Sequence, residues 1–213
     1  MKFAESMLRL YAVTDRSWVG TQTLHEQVEL ALRGGVTCVQ LREKELNDTD
    51  FLAEAKELKI LCARYGVPLI INDNVDAALK SGADGVHVGI EDAPVSEIRK
   101  RAGDDFIIGA TAKTTEQAKA AEAAGADYLG VGAVFPSPTK KNAIRITPQD
   151  LREICGSVAI PAVAIGGITG DNVSEIKGGG MAGVAVVSAI FAAQDIQKAA
   201  AELKRKVKAM VEA

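Results

Sequence analysis

The sequence predicts an α/β fold: eight parallel strands closed into a (β/α)8 barrel, with residues 1–213 forming one domain. Three observations carry that expectation. Short apolar runs alternate with helical stretches eight times in about 210 residues. The runs are nearly continuous in Val, Ile, Leu and Ala, as expected of parallel strands covered on both faces. One helix-to-strand junction also recurs, as Gly35-Val36-Thr37, Gly82-Ala83-Asp84, Gly125-Ala126-Asp127 and Gly180-Met181-Ala182. An open doubly wound sheet is the lesser alternative. It would more often show a G-x-G-x-x-G turn after its first strand, and none is present.

Each element has its own signal. Leu8 to Thr14 reads as the first strand. Thr23-Leu24-His25-Glu26 is a capping box opening a helix that stops at Gly34-Gly35. Val36, Val39 and Leu41 mark the second strand. Asn47-Asp48 caps a helix with Phe51, Leu52, Ala55, Leu58 and Cys62 at helical spacing. Leu69-Ile70-Ile71, Gly85 to Val88, Phe106 to Thr111 and Tyr128 to Val131 are strands three to six. Pro94 to Arg101 is helical, and Thr114-Thr115-Glu116-Gln117 is another capping box, opening an Ala-rich helix. A loop of about fifteen residues, Gly132 to Ile146, follows strand six. Thr147-Pro148 supplies a cap and a first-turn proline. Ala162 to Ile165 is strand seven, Asp171 is expected to cap a short helix, and Gly183 to Val187 is strand eight. A final helix rich in Lys and Glu runs to the C-terminus.

Composition excludes several classes. A net charge of −3 argues against a general nucleic-acid or membrane binder, so an anion site must be local. The longest apolar run, Gly183 to Ala193, is too short to span a bilayer. The scattered cysteines, Cys38, Cys62 and Cys155, read as reduced, buried thiols of a cytoplasmic protein. Glu5 and Arg9 interrupt any signal-peptide core.

In such a barrel, sites lie where strands end, and the second strand is the centre of interest. Side chains alternate along a strand. Gln40, Arg42 and Lys44 therefore share one face, and Leu41 and Glu43 take the other. Cations there imply either an ion-pair cluster or a phosphate grip, with Arg as a fork and Lys as a point charge. Gly166-Gly167 and Val187-Ser188 follow strands seven and eight. That is where this fold often binds phosphate, although Gly-Gly alone is also a tight turn. Asp73 and Asp92 end neighbouring strands, either as helix caps or as ligands of Mg2+, which favours a few carboxylates plus phosphate oxygens. The long loop holds Ser137, Pro138, Thr139, Lys140 and Lys141, and is either a solvated basic loop or a cover for the substrate. His87 reads as a packed histidine near the mouth, and His25 as exposed. Two phosphate regions and a metal site at one mouth suggest transfer of activated carbon from a diphosphate to a phosphate-tagged acceptor, with pyrophosphate as the leaving group.

Six motifs occur in order: Gln40-Leu41-Arg42-Glu43-Lys44; Asn72-Asp73; Gly85-Val86-His87-Val88-Gly89 with Asp92; Phe135-Pro136-Ser137-Pro138-Thr139-Lys140; Ala164-Ile165-Gly166-Gly167-Ile168; and Val186-Val187-Ser188-Ala189-Ile190. On these the chain resembles the thiamine phosphate synthase family over nearly its whole length. The resemblance implies a TIM barrel that joins hydroxymethylpyrimidine diphosphate to a thiazole phosphate, plain or carboxylated, with Mg2+. It implies that Gln40, Leu41, Arg42, Glu43, Lys44 and Asn72 bind the pyrimidine diphosphate, that Asp73 and Asp92 hold Mg2+, and that Thr111 lies near the pyrimidine. Ser137, Pro138, Thr139 and Lys140 would meet the thiazole phosphate or the departing pyrophosphate, and Gly166, Gly167, Val187 and Ser188 the thiazole phosphate. Arg42, Lys44, Thr111 and Lys140 are the expected catalytic set. The implied mechanism is dissociative and needs no general base. Three positions depart from the family pattern: Ile90 for Gln, Thr111 for Ser and Ser137 for Thr. The expected partners are two small-molecule substrates and, at most, a second copy in a homodimer. Rival readings are a thiazole tautomerase, which relies on a histidine acid/base, another phosphate-binding barrel such as a sugar-phosphate isomerase, and a non-catalytic binder of thiamine phosphate.

Overall fold

A computed structural model describes residues 2–136 and 144–212. Eight strands follow the sequence in order: β1 (Leu10–Val13), β2 (Cys38–Leu41), β3 (Leu69–Asn72), β4 (Gly85–Val88), β5 (Ile107–Ala112), β6 (Tyr128–Gly132), β7 (Ala162–Ile165) and β8 (Gly183–Val186). All neighbours are parallel, and β8 pairs with β1 through Leu10 and Val184, closing the barrel. Around it lie α1 (Leu24–Arg33), α2 (Asp48–Arg64), α3 (Val75–Ser81), α4 (Val95–Ala102), α5 (Thr115–Ala123), α6 (Pro148–Gly156), α7 (Ser188–Phe191) and α8 (Ile196–Val211). The expected (β/α)8 barrel is the fold observed.

The helices begin where local chemistry starts them. Thr23 and Glu26 form a reciprocal capping box on α1, Thr147 and Asp150 do so on α6, and Asn47 caps α2. Three local expectations change. A 3-10 turn, Glu5–Leu8, precedes β1, so the first strand begins at Leu10 and Leu8 plugs the barrel floor. The Asp171 cap is not formed: the turn after β7 is a 3-10 helix, Val173–Ile176, and Asn172 does the bonding. Its Oδ1 accepts from Thr169 N–H at 2.8 Å and its Nδ2 donates to the Gly167 carbonyl at 2.9 Å, bracing the Gly-Gly loop. Gln117 does not complete a box on α5. Its Oε1 accepts instead from Lys113 N–H at 2.8 Å, fixing the end of β5.

The strand period divides the apolar residues into two sets. Leu10, Ala12, Val39, Leu41, Ile71, Val86 and Ile108 face the helices in one large core. Tyr11, Val13, Cys38, Ile70, Ile107, Tyr128, Val163 and Ala185 fill the barrel. The three cysteines are free and buried, and burial pushes the Cys62 thiol up to about 12 and the Cys155 thiol to about 11.

The repeated junction has a physical role. Leu10 N–H donates to Thr37 Oγ1 at 2.8 Å while Thr37 N–H donates to the Leu10 carbonyl at 2.9 Å. Leu69 and Asp84 exchange the same two bonds at 2.9 and 2.9 Å, and Ile108 and Asp127 at 2.7 and 2.8 Å. Each junction thus staples the bottom of an odd strand to the next even one. The fourth junction keeps only the backbone bond, from Ala182 N–H to the Ala162 carbonyl at 2.8 Å, because alanine has no side-chain acceptor. Cations complete two staples: Lys59 pairs with Asp84 at 2.6 Å and Arg99 with Asp127 at 2.7 Å.

Asp84→Ala is expected to cost about 2–4 kcal/mol in denaturant unfolding, because it strands the Leu69 N–H and removes the partner of Lys59. Thr37→Val is expected to cost about 1–2 kcal/mol, having no cation to leave behind.

Candidate active site

The C-terminal mouth of the barrel holds a cavity of about 220 Å³, lined by residues of most strands. The alternation of β2 sends Gln40 and Arg42 into it, as the sequence implied, and Asn72, Thr111, Gly166, Gly167, Val187 and Ser188 line it as well. Lys44 is exposed beyond the strand, close enough for its charge to act on Asp73. Ser137, Pro138, Thr139 and Lys140 lie outside the described residues.

Two of the expected binding residues turn elsewhere. The Leu41 side chain is fully buried among the helices, so only its backbone belongs near the mouth. Glu43 points to Arg16, whose guanidinium also bonds both carboxylate oxygens of Glu54 at 2.9 and 2.8 Å. The other Glu43 oxygen accepts from the N–H groups of Lys44 and Glu45 at 2.8 and 3.0 Å. Despite desolvation, these bonds hold the Glu43 pKa below the usual carboxylate range. Glu43 therefore orders the loop that carries the two cations.

Arg42 is held from two sides. Thr14 Oγ1 accepts from its backbone N–H at 3.0 Å, and Asp15 approaches its guanidinium at 3.6 Å. Arg42 still lines the cavity, where a phosphate could meet its fork. Arg42 thus lines the cavity while pairing loosely with Asp15, and the tighter ion-pair cluster forms around Glu43.

The Asp92 carboxylate lies close enough to act on Asp73. Asp73 adopts a left-handed backbone, φ 60°, which turns its side chain back over the mouth beside Asn72, whose Nδ2 donates to it at 2.6 Å. Asp92 Oδ2 accepts from Gly89 N–H at 2.6 Å. Desolvation first, and then the Asp92 carboxylate, push the Asp73 pKa up to about 6. Among the described residues no larger group of His, Cys, Asp and Glu gathers as a metal site. Two crowded carboxylates nevertheless fit a hard divalent cation that takes its remaining ligands from water and phosphate. Ile90, between them, is 49% exposed and offers no polar atom.

Across the mouth the surface is different. Gly166 and Gly167 both have positive φ, 101° and 62°, and pack directly against the chain after β6. A Cβ on Gly166 would come 2.5 Å from the Ala133 Cβ, and Phe135 N–H donates to the Gly166 carbonyl at 3.0 Å. The start of the long loop is therefore bound to the glycine pair.

The cavity floor was not anticipated. Tyr11 and Tyr128, read as ordinary strand residues, meet hydroxyl to hydroxyl at 2.8 Å inside the barrel. Gln40 Nε2 donates to Tyr11, and His87 bridges Tyr128 to Thr111. Burial lowers the His87 pKa to about 4, the Asp92 charge opposing it only in part. The packed histidine is as expected, whereas His25 is half-buried rather than exposed. Lys113 also lines the cavity.

The family model described as thiamine monophosphate synthase matches residues 10–190. The chain belongs to that family. It is 47% identical over 194 residues to the thiamine-phosphate synthase of Ruminiclostridium cellulolyticum, covering 91% of this chain and 92% of that one. It is 48% identical over 199 residues to thiamine-phosphate synthase 2 of Streptococcus pneumoniae, covering 93% and 95%. Among solved structures, the thiamine phosphate pyrophosphorylase of Pyrococcus furiosus superposes with a TM-score of 0.90 at 40% identity, covering 97% and 98%. As a thiamine phosphate synthase family member, the chain is a transferase of thiamine biosynthesis that moves a pyrimidinylmethyl group. No helix among the described residues is long and apolar enough to cross a membrane.

The two titrations at the mouth act in opposite senses. Asp73 has a raised folded pKa, so its contribution to stability is complete below about pH 4 and lost as pH rises through about 6. His87 has a depressed one, so its contribution is complete above its ordinary 6.5 and lost as pH falls towards about 4. In chelator, Asp92→Asn is expected to melt higher than wild type above pH 6, with the gap closing by pH 4. Thermal melts at several pH values measure that gap, and a gap independent of pH would contradict the account of an Asp73 raised by its neighbour.

Proposed function

We propose that this barrel joins hydroxymethylpyrimidine diphosphate to a thiazole phosphate, forming thiamine monophosphate and pyrophosphate by Mg2+-assisted dissociative substitution. One observation carries the reading: Arg42 lines the mouth next to the strand ends that carry Asp73, Asp92 and Lys44, against a glycine-lined side at Gly166, Gly167 and Ser188. A diphosphate suits the first and a single phosphate the second.

On this reading Arg42 and Lys44 receive the diphosphate, Arg42 as a fork and Lys44 as a point charge. Lys140, in the loop after β6, would add a third cation. Asn72 fixes Asp73 and offers its amide to the same ligand. Asp73 and Asp92 would hold Mg2+, which when bound supplies positive charge to the leaving pyrophosphate. Positive charge at that end favours breaking the carbon–oxygen bond, whose electron pair leaves with pyrophosphate. The aminopyrimidine ring spreads the resulting methylene charge, and the thiazole nitrogen then attacks with its lone pair. Gly166, Gly167, Val187 and Ser188 would hold the thiazole phosphate so that this nitrogen faces the methylene. Leu41 and Glu43 act through the backbone and the loop rather than by touching substrate. No proton has to be removed in the bond-forming step, in keeping with a histidine whose two ring nitrogens are already bonded. That engagement also counts against the tautomerase reading, which needs a histidine free to move a proton.

Pyrophosphate release is expected only with both substrates and Mg2+, and EDTA should abolish it. Arg42→Ala should lower kcat/KM by about 10²–10³ with the fold intact. Asp92→Ala should lose most activity and shift the Mg2+ requirement upwards. Absence of release from wild type that still binds the thiazole phosphate would overturn the reaction.

A further inference from the structure

The barrel interior carries a continuous line of side-chain hydrogen bonds, and burial gives it a direction. Gln40 Nε2 donates to Tyr11 Oη at 2.8 Å. The Tyr11 and Tyr128 hydroxyls are 2.8 Å apart. Tyr128 Oη lies 3.2 Å from His87 Nδ1, and His87 Nε2 lies 3.2 Å from Thr111 Oγ1. Both tyrosines are 1% exposed, so neither hydroxyl can turn to bulk water. A buried O–H left without an acceptor costs more than the bond itself contributes.

That constraint orders the protons. Tyr11 accepts from Gln40, so its own proton goes to Tyr128, a stronger acceptor than the Cys38 sulfur beside it. Tyr128 accepts there, so its proton goes to His87 Nδ1. A neutral ring accepting at Nδ1 carries its proton on Nε2, and that N–H donates to Thr111 Oγ1. The Thr111 O–H is then left to donate into the cavity that Thr111 lines. At the other end, Gln40 Oε1 takes no partner among the described residues, is not sealed from the cavity, and can only accept.

We infer that Tyr11, Tyr128 and His87 are positioning residues that fix Gln40 as an acceptor and Thr111 as a donor, so that the cavity selects a ring with an amino group and an unprotonated ring nitrogen. This inference rests on the proposed pyrimidine substrate and deepens it. The 4-oxo counterpart of that ring presents the reverse pattern, a carbonyl oxygen and a ring N–H. Reversing every bond in the line would suit the 4-oxo ring instead, so the sense of the line is a specificity element. Glycines make room for it. A Cβ on Gly109 would meet His87 Nδ1 at 2.5 Å, and one on Gly130 would meet His87 Cε1 at 2.9 Å. The histidine ring is seated over the two glycines, and a flip that put carbons where its nitrogens stand would forfeit its bonds to both Tyr128 and Thr111.

The test is calorimetric binding to the intact protein with Mg2+. The probes are the 4-aminopyrimidine methyl diphosphate, its 4-oxo counterpart and inorganic pyrophosphate. Wild type is expected to prefer the amino ring by about 100-fold or more. Tyr128→Phe should cut that preference about tenfold or more while leaving pyrophosphate affinity unchanged. Tyr11→Phe, at the other end of the line, should do the same and serves if Tyr128→Phe fails to fold. A merely structural role would lower the melting temperature and weaken both rings alike. An unchanged preference in a variant that melts cooperatively would overturn the inference, as would a wild-type preference for the 4-oxo ring. If wild type binds neither ring more tightly than pyrophosphate, the pyrimidine reading itself fails, a different result from a preference that survives the variants.

Discussion

The contact between the Tyr11 and Tyr128 hydroxyls is the constraint on which the site is built. A barrel of eight strands must be filled by its own inward side chains. Here the upper layer of that filling is polar, and polar groups in such a place have to be fully partnered. Gln40 and His87 meet that demand, and in doing so they become the floor of the cavity. The outer layer of apolar residues keeps each strand seated, so the floor does not have to be assembled when a ligand arrives.

Above that floor the mouth is electrically lopsided. Residues following β2, β3 and β4 supply the cations and the acid pair, while β7 and β8 supply glycines and a serine. The asymmetry is maintained by bonds that point away from the cavity. Glu43 spends its oxygens on Arg16 and on the loop backbone, which keeps it from quenching Arg42. Asn172 braces the opposite rim from behind. Neither residue touches the cavity, yet each decides what the cavity presents.

Much of this was written in local patterns, and some was not. The alternation from Gln40 to Lys44 gave the direction of Arg42 directly, since a strand has only two faces. Asp73 and Asp92 were legible because each directly follows a strand run or its glycine turn. Tyr11 and Tyr128 were not, because an aromatic within an apolar run looks the same whether it faces the helices or the barrel axis. Only closure brings residues 117 positions apart into contact. Asp171 looked like a cap because it heads a polar turn, but the neighbouring Asn172 can both accept and donate, and a loop with two orphan backbone groups uses that. The repeated glycine junction was visible as a pattern, while its purpose, a side-chain oxygen reaching back to the preceding strand, needed the register.

That junction gives the barrel a grain. Three of its odd–even strand pairs are stapled by a side chain as well as by the ladder, and the β7–β8 pair is not. Among its odd–even pairs the ring is therefore uneven, and the least stapled of them lies directly beneath the glycine rim and Ser188. Local opening draws on the elements with fewest constraints. Breathing would thus come more easily on the side proposed for the smaller phosphate than on the side proposed for the diphosphate. If the proposed pair of substrates is bound, one firm wall and one yielding wall give a built-in route for exchanging one ligand while keeping hold of the other.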